Sequence, residues 1–214
     1  MKIITDKKYN IIYADPPWSY GGSGGTKWLP ANEYYPTMSF DDLRNMSDDI
    51  KRISDDNCLL FLWVVSPELP ECIRVGESWG FKYITVAFIW NKQRANVGNY
   101  TMSNCEICLL FKKGNIPSDR VRRPGQQQLL CTVDDNQYYS EPITIHSRKP
   151  NEFRLRIDRM FPKSSKIELF SRQLNDDWDS WGYDIDKSGN VATGNLNNKK
   201  LNKLNKNIFT LNKL

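Results

Sequence analysis

The sequence lacks long hydrophobic runs. Its longest apolar stretch, residues 58–65, has eight residues, well below the roughly 20 that a membrane-spanning helix needs. Residues 1–10 contain neither a long apolar stretch nor a cleavage site of small residues, which argues against secretion. These absences predict a cytoplasmic protein that does not insert into a membrane. The length of 214 residues, 39% of them hydrophobic, predicts one domain with a proper core.

The sequence is also poor in the residues that bind metals. It has one histidine, His146, and five cysteines, an odd number that is typical of reduced intracellular thiols. Cys105 and Cys108 have the spacing of a zinc-ligand pair, but the chain offers no second pair. We therefore expect core cysteines on a strand and no metal site. His146 is expected to be structural, with a catalytic base as the less favoured alternative.

The folded part of the chain lacks excess charge. The net charge is +5, and residues 188–214 contain five lysines and no acidic residue. Residues 1–187 are therefore neutral, so any surface for nucleic acid must be a local patch. Residues 187–214 are rich in Asn, Lys and Leu without a core pattern, and we expect a mobile or weakly helical tail after a domain of residues 1–186.

Apolar stretches alternate with helical patterns along residues 9–170. The helical patterns are a segment capped by Ser39 that runs to about Met46, an amphipathic segment at residues 67–79, and residues 150–161. Strands are predicted at residues 9–14, 58–65, 81–91, 104–112 and 165–170, with polar loops at residues 92–103 and 171–184. This alternation predicts an α/β domain with a mainly parallel sheet.

The strongest motif is Asp15-Pro16-Pro17-Trp18, directly after the first predicted strand. The amino nitrogen of adenine is a poor nucleophile because its lone pair is delocalised into the ring. Acceptors for its two hydrogens favour the pyramidal form that attacks a methyl group, and the Asp15 carboxylate and the Pro16 carbonyl would supply them. The prolines aim that carbonyl before the base arrives. Trp18 would then stack on the purine, which is worth ~1–3 kcal/mol.

The less favoured interpretation is that this motif is only a strand-ending turn with a buried tryptophan. An apolar strand precedes the motif, and a loop with four glycines, residues 19–36, follows it. This context favours the functional interpretation.

Six segments of the chain resemble adenine-N6 methyltransferases of the messenger-RNA methylase type, the MT-A70-like family, which has short relatives in bacteria and phages. In chain order they are YADPPW (13–18), TMS (37–39), FLWV (61–64), EICLLFKKGN (106–115), SRKPNE (147–152) and KIELFSR (166–172). The resemblance covers about residues 9–184. It implies a Rossmann-like methyltransferase fold in which the catalytic motif precedes the cofactor-binding strand.

The resemblance also implies S-adenosylmethionine as the cofactor. Asp15 would meet the methionine ammonium group, and Lys113 would lie near the methionine carboxylate, with Lys112 as the alternative. The carboxyl ends of parallel strands are where α/β folds bind ligands, and no glycine-rich fingerprint for a dinucleotide follows any strand. The remaining implied cofactor contacts are Glu168, Arg172, Asn175 and Asp184. Leu174, Tyr183 and Asp184 depart from the family's pattern, in which histidine and two amides stand at these positions.

Basic and aromatic residues in three loops are candidates for nucleic-acid contacts. Arg120, Arg122 and Arg123 form a basic cluster, for which a solvated loop is the alternative. Phosphate contacts would come from this cluster, with Lys27 and Arg94 from other loops. Tyr34 and Tyr35 would flank a flipped base or pack their loop against the body.

These features predict an enzyme that methylates adenine in DNA, taken from a single strand or flipped out of a duplex. The preference for DNA rests on the compact chain without added RNA-binding modules. An RNA adenine methyltransferase is the first alternative. A catalytically silent, nucleic-acid-binding subunit is the second, and the intact Asp15–Trp18 motif argues against it. The sequence leaves monomer, homodimer and heterodimer open.

Removal of the tail tests its role. If its lysines tether phosphates, a chain that ends at Lys187 should have a higher KM for substrate at low salt and an unchanged kcat, because exposed charges are screened over ~8–10 Å at higher salt. If Ile208, Phe209 and Leu211 instead dock on the body or on a second copy, the melting temperature or the oligomeric mass should change. A stable, full-sized protein with an unaltered KM at low salt would contradict both expectations.

Overall fold

A single eight-stranded sheet with helices on both faces forms the body of the protein. The computed structural model describes residues 3, 5–19, 37–96, 100–121, 138–140, 149–171, 177–182 and 210–212. Within these residues the strands are β1 (Tyr9–Ala14), β2 (Ser54–Val64), β3 (Lys82–Asn96), β4 (Ser103–Lys113), β5 (Tyr138–Ser140), β6 (Lys166–Leu169), β7 (Asp179–Gly182) and β8 (Thr210–Asn212). The helices are α1 (Phe40–Arg44), α2 (Ser47–Ile53), α3 (Leu69–Ser78) and α4 (Glu152–Met160), and a short 3-10 turn, Ser66–Glu68, precedes α3.

The strands follow one another across the sheet in the order β5-β3-β4-β2-β1-β6-β7-β8. β1 pairs in parallel with β2 and β6, β6 with β7, and β3 with β5. β4 runs antiparallel to both of its neighbours, and β8 runs antiparallel to β7. The α/β class is as predicted, and the sheet is mixed, with two described strands reversed against the other six.

Three of the four described helices, α1, α3 and α4, lie where the sequence predicted them, and local signals mark their ends. The Ser39 hydroxyl accepts a hydrogen bond from the Asp42 amide, and the Asp42 carboxylate accepts one from the Ser39 amide, which forms a capping box at the start of α1. α3 ends at Trp79, and Gly80 follows with a positive φ of 91° that glycine adopts without strain. No helix in the described ranges is long and apolar enough to cross a membrane.

Alternation along β1 divides the core into two layers. Ile12 and Ala14 point toward α1, α2 and α3, whereas Ile11 and Tyr13 point toward α4. Because successive side chains on a strand face opposite sides, Asp15 continues the Ile11–Tyr13 series. The motif's carboxylate therefore falls on the α4 face of the sheet, at the carboxyl end of β1.

Several segments, β5 among them, differ from the sequence-based expectation. β2 begins at Ser54 rather than at residue 58, and α2 precedes it. Residues 92–96 of the polar segment belong to β3 and Ser103 begins β4, because cross-strand pairing extends this hairpin beyond its apolar part. β7 lies where a loop was expected, and Trp181 packs in the core. Thr210–Asn212 of the tail pair with β7, which favours docking of this short piece; the domain boundary near residue 186 stays a prediction.

Candidate active site

The turn after β1 is fixed by backbone hydrogen bonds. The Pro17 carbonyl accepts from the Met38 amide at 2.8 Å, and the Ser19 amide donates to the Met38 carbonyl at 2.9 Å. The Trp18 amide donates to the Pro16 carbonyl at 2.9 Å. A carbonyl oxygen has two lone pairs, so Pro16 retains one of them for a further donor. The motif therefore has the fixed backbone that the two prolines predicted.

Trp18 lies in the core, where its side chain is 5% exposed. Its indole nitrogen donates to the Trp63 carbonyl at 3.0 Å, and its ring packs on Phe40 with a centroid separation of 5.6 Å. This placement does not fit the expectation that Trp18 stacks on the purine, because the ring would first have to leave these contacts. Trp18 instead anchors the turn, as the alternative interpretation proposed for this one residue.

Asp15 forms an ion pair with Lys149, a residue that the sequence analysis assigned no role. The Lys149 ammonium group lies 2.8 Å from Oδ1 and 2.7 Å from Oδ2 of Asp15. The lysine side chain is 7% exposed and the aspartate side chain 21%. Lys149 also lies over the Trp63 ring, 5.2 Å from its centroid, in a geometry suited to a cation–π contact. The carboxylate of the motif is thus accessible on one side and neutralised on the other.

Glu106 extends this pair into a network of four charges. Its carboxylate lies 3.0 Å from the Lys149 ammonium and 3.1 Å from that of Lys92. Burial alone would raise the pKa of Glu106, but the two lysines hold it below its ordinary value. Burial would likewise lower the pKa of Lys149, but Asp15 and Glu106 hold it above its ordinary value. Glu106 and Lys149 are therefore both charged at neutral pH.

Glu168 lies near Asp15, with its own cation. Glu168 on β6 pairs with Tyr13 on β1, and Asp15 follows Tyr13 by two residues. Because residues two apart on a strand share a face, the carboxylates of Glu168 and Asp15 both face α4. Arg154 of α4 donates to Glu168 at 2.6 Å, and both side chains are buried. Separate cations allow two carboxylates to approach each other without one taking up a proton. Of the sequence-predicted cofactor contacts, Asp15 and Glu168 are brought together.

Two buried hydrogen-bond donors beside this cluster have no partner among the described residues: the Tyr13 hydroxyl and the Trp63 indole nitrogen. Their rings meet edge to face with centroids 6.5 Å apart. Buried polar groups usually find a partner, and an exception calls for water or a ligand. The site therefore offers acidic, basic and neutral polar groups in one place.

The structure places Lys113 away from Asp15. Lys113 pairs with Cys58 near the start of β2, whereas Asp15 lies at the level of Trp63 near its end. Five residues of a strand span ~16 Å, and the Lys113 ammonium donates to Ser54 at the opposite edge of the sheet. Lys112 occupies the same end of β4. The lysine that meets the motif is Lys149 instead.

Arg120 is likewise distant from the motif. It is exposed in the turn after β4, and the neighbouring Asp119 binds Ser164 just before β6, at the amino edge of the sheet. Arg94 lies on β3 beyond the end of β2. The other assigned residues lie outside the described ranges: Lys27, Tyr34, Tyr35, Arg122, Arg123, His146, Arg172, Asn175 and Asp184.

Cys105 and Cys108 do not form a metal site with each other. They are three residues apart on β4, so their side chains face opposite sides of the sheet. Cys108 is buried, and burial raises the pKa of its thiol. Among the described residues, no three potential ligand side chains gather as metal ligands would.

A carboxylate and an ammonium group at the carboxyl edge of an α/β sheet are the setting in which this fold class binds ligands. Comparison with known proteins identifies the class. The family model of MT-A70 matches residues 9–184. The Type II methyltransferase M.MunI of Mycoplasma sp is 40% identical over 198 residues, which cover 85% of this chain and 80% of that protein. The chain therefore belongs to the MT-A70 family, and the predicted class of adenine-N6 methyltransferases is confirmed.

More distant relatives include longer proteins. The N(6)-adenosine-methyltransferase MT-A70-like of Arabidopsis thaliana is 28% identical over 178 residues, which cover 78% of this chain and 22% of that protein. The N(6)-adenosine-methyltransferase catalytic subunit METTL3 of Homo sapiens is 29% identical over 192 residues, which cover 84% of this chain and 28% of that protein. The chain thus spans about a quarter of the length of these relatives.

Replacement of Lys149 tests the buried ion pair. Lys149→Met should lower the free energy of unfolding at pH 7 by about 3–5 kcal/mol, since it removes the buried cation that lies between the carboxylates of Asp15 and Glu106. The deficit should shrink as the pH falls toward ~4, where Asp15 and Glu106 take up protons in the variant. Urea denaturation between pH 4 and pH 8 measures both effects.

The control is Lys7→Met, which removes an ion pair between Asp179 and a lysine that is 57% exposed. Such pairs contribute at most about 1 kcal/mol. An equal effect of both substitutions, or a deficit for Lys149→Met that does not change with pH, would contradict the proposed electrostatics.

Proposed function

We propose that this protein uses S-adenosylmethionine to methylate the exocyclic amine of adenine in DNA. The observation that carries the chemistry is the position of Asp15, a partly exposed carboxylate held by Lys149 at the end of β1. The preference for DNA rests on the similarity to a Type II methyltransferase over 80% of that protein's length. RNA is the alternative, supported by the weaker similarity to N(6)-adenosine methyltransferases.

The site's donors and acceptors fit S-adenosylmethionine. The methionine part of this cofactor has an ammonium and a carboxylate on one carbon, and the protein presents an ion pair of the opposite arrangement in Asp15 and Lys149. The Tyr13 hydroxyl and the Trp63 indole nitrogen, which have no partner among the described residues, add donors beside it. We assign the cofactor's ammonium to Asp15 and its carboxylate to Lys149, in place of Lys113. When bound, the cofactor supplies an activated methyl group.

Besides binding the cofactor's ammonium, the side chain of Asp15 is proposed to accept a hydrogen bond from the amine of adenine. A carboxylate offers about four lone-pair sites, and the Asp15 side chain is 21% exposed beside Lys149. The exposed side of this carboxylate accepts one hydrogen of the adenine amine, and the second lone pair of the Pro16 carbonyl accepts the other. These contacts favour the pyramidal nitrogen that attacks the methyl group. After transfer, the product amine is acidic enough to lose its proton to water, so no strong base is needed.

The substrate surface is assigned to segments whose described neighbours lie at or beyond the carboxyl edge. Residues 20–36, which contain Lys27, Tyr34 and Tyr35, connect two positions joined by the bridge between Trp18 and Met38. Arg94 belongs to the hairpin that extends beyond this edge. We propose these four residues as nucleic-acid contacts. The position of Arg120 at the amino edge does not support a nucleic-acid contact beside the site. In the cofactor site, we propose Glu168 as the second acidic residue, together with Asp15.

A mixed pool of DNA and RNA, followed by mapping of N6-methyladenine, tests this function. The protein should methylate adenine in DNA, and Asp15→Ala should lower the rate of transfer ~10²-fold or more, since one preorganised electrostatic group usually contributes that much. The control is Asp56→Asn, at the exposed start of β2 on the opposite edge, which should leave the rate unchanged.

Methylation confined to RNA would select the alternative substrate. Retention of more than about a tenth of the rate by Asp15→Ala would contradict the role of the motif. Absence of cofactor binding in a calorimetric titration would identify a silent subunit instead of an enzyme.

A further inference from the structure

The ammonium group of Lys149 is shared between two carboxylates. It lies 2.8 Å from Oδ1 and 2.7 Å from Oδ2 of Asp15, and 3.0 Å from Oε2 of Glu106. An ammonium group has three N–H donors, so these three oxygens engage all of them. A further acceptor can bind Lys149 only after one of these contacts is released.

A second lysine fixes the carboxylate of Glu106. The Lys92 ammonium lies 3.1 Å from Oε1 of Glu106, whereas Lys149 binds Oε2. The Lys92 side chain is 11% exposed, so water and salt screen this pair little. Glu106 itself lies on β4, which pairs with β2 on one side and with β3 on the other. A carboxylate with a cation at each oxygen, on a strand inside the sheet, is a fixed acceptor.

Asp15 has to exchange one partner for another under the proposed function. Its carboxylate receives the cofactor's ammonium, which repels the ammonium of Lys149 because both are positive. Lys149 must therefore leave at least one oxygen of Asp15, and the donor that it frees can bind the cofactor's carboxylate. The Lys149 side chain is only 7% exposed, and a buried cation without a partner is costly. Lys149 thus needs a second acceptor during the exchange, and Glu106 is in place to provide it.

We propose that Glu106 is a positioning residue that retains the ammonium of Lys149 at the site while Asp15 exchanges one ammonium group for another. This inference rests on the proposed function, which assigns the cofactor's ammonium to Asp15 and its carboxylate to Lys149. Glu106 acts through Lys149 and needs no contact with the cofactor. Lys92 supports this role, because it balances the charge of Glu106 and holds its other oxygen.

Replacement of Glu106 by glutamine tests this role, since glutamine keeps the size and a carbonyl oxygen but loses the charge that retains Lys149. Glu106→Gln should bind S-adenosylmethionine about tenfold more weakly or worse in a calorimetric titration at pH 7, because Lys149 then stays on Asp15. S-adenosylhomocysteine, the product of the proposed reaction, should lose affinity by the same factor, because its methionine part is the same zwitterion. The KM for S-adenosylmethionine should rise while kcat changes little.

The matched control is Glu77→Gln, which replaces an exposed glutamate of α3 on the other face of the sheet and should leave both affinities unchanged. In the Lys149→Met background, Glu106→Gln should change the affinity by no more than about twofold, because the lysine through which it acts is gone. Glu106→Asp withdraws the carboxylate from Lys149 by one methylene group. It should weaken both ligands in equal proportion, and it serves as the test if the glutamine variant does not fold.

Three results would overturn this role and leave the proposed function intact. A larger loss of affinity for S-adenosylmethionine than for S-adenosylhomocysteine would show that Glu106 attracts the sulfonium charge. An equal effect of Glu106→Gln with and without Lys149 would show that Glu106 acts independently of that lysine. Unchanged or tighter binding by Glu106→Gln would show that Glu106 does not assist the exchange. Failure of the wild type to bind S-adenosylmethionine would overturn this role and the proposed function together.

Discussion

The ion pair between Asp15 and Lys149 is the interaction on which the rest of the site depends. A carboxylate at the end of a buried strand is costly to ionise without a counter-charge, and the almost fully buried ammonium group supplies it at 2.7 Å. Glu106 and Lys92 complete the balance, so four charges sit beside aromatic rings without a net excess. The protein thereby pairs an acidic acceptor with a cation at the place where the proposed function needs an acceptor for the amine of adenine and for the ammonium of the cofactor.

The sheet brings these groups together from distant parts of the chain. Asp15 ends β1, Glu106 lies on β4, Glu168 lies on β6, and Lys149 and Arg154 come from the segment that leads into and forms α4. Strand alternation puts the three carboxylates on the α4 face, where the two cations enter from above. The opposite face remains apolar and packs on α1, α2 and α3. Both layers thus contribute to the core, and the α4 layer also carries the charged groups of the candidate site.

Local patterns predicted the elements that carry their own signals. β1 has the predicted bounds, and the capping box at Ser39 begins α1 as expected. β7 was missed because Asp179–Gly182 has only four residues, without an apolar run, and becomes a strand through its pairing with β6. The reversal of β4 is also a tertiary property: its apolar pattern is the same in either direction.

The site was predicted in part, for related reasons. The motif itself located Asp15, but its cation lies 134 residues away, and no periodicity connects the two. Lys149 stands in one of the segments that resemble the family, SRKPNE, which was the available signal. The resemblance favoured Lys113 as the contact of the methionine carboxylate, but Lys113 lies at the end of β4 that is opposite to Asp15. A tryptophan in such a motif can either stack on a base or pack in the core, and the sequence pattern is the same for both. The sequence analysis expected stacking for Trp18, but in the structure its indole nitrogen donates to the Trp63 carbonyl in the core.

The most direct test of the account is a binding comparison between S-adenosylmethionine and its decarboxylated form, measured by calorimetry at pH 7. If Lys149 holds the methionine carboxylate, loss of that carboxylate should weaken binding at least tenfold in the wild type. The same loss should weaken binding less than threefold in Lys149→Met, because the two changes remove one interaction. Lys149→Arg should retain most of the wild-type difference, since it keeps the charge. An equal weakening in the wild type and in Lys149→Met would contradict the assignment of Lys149 to the cofactor.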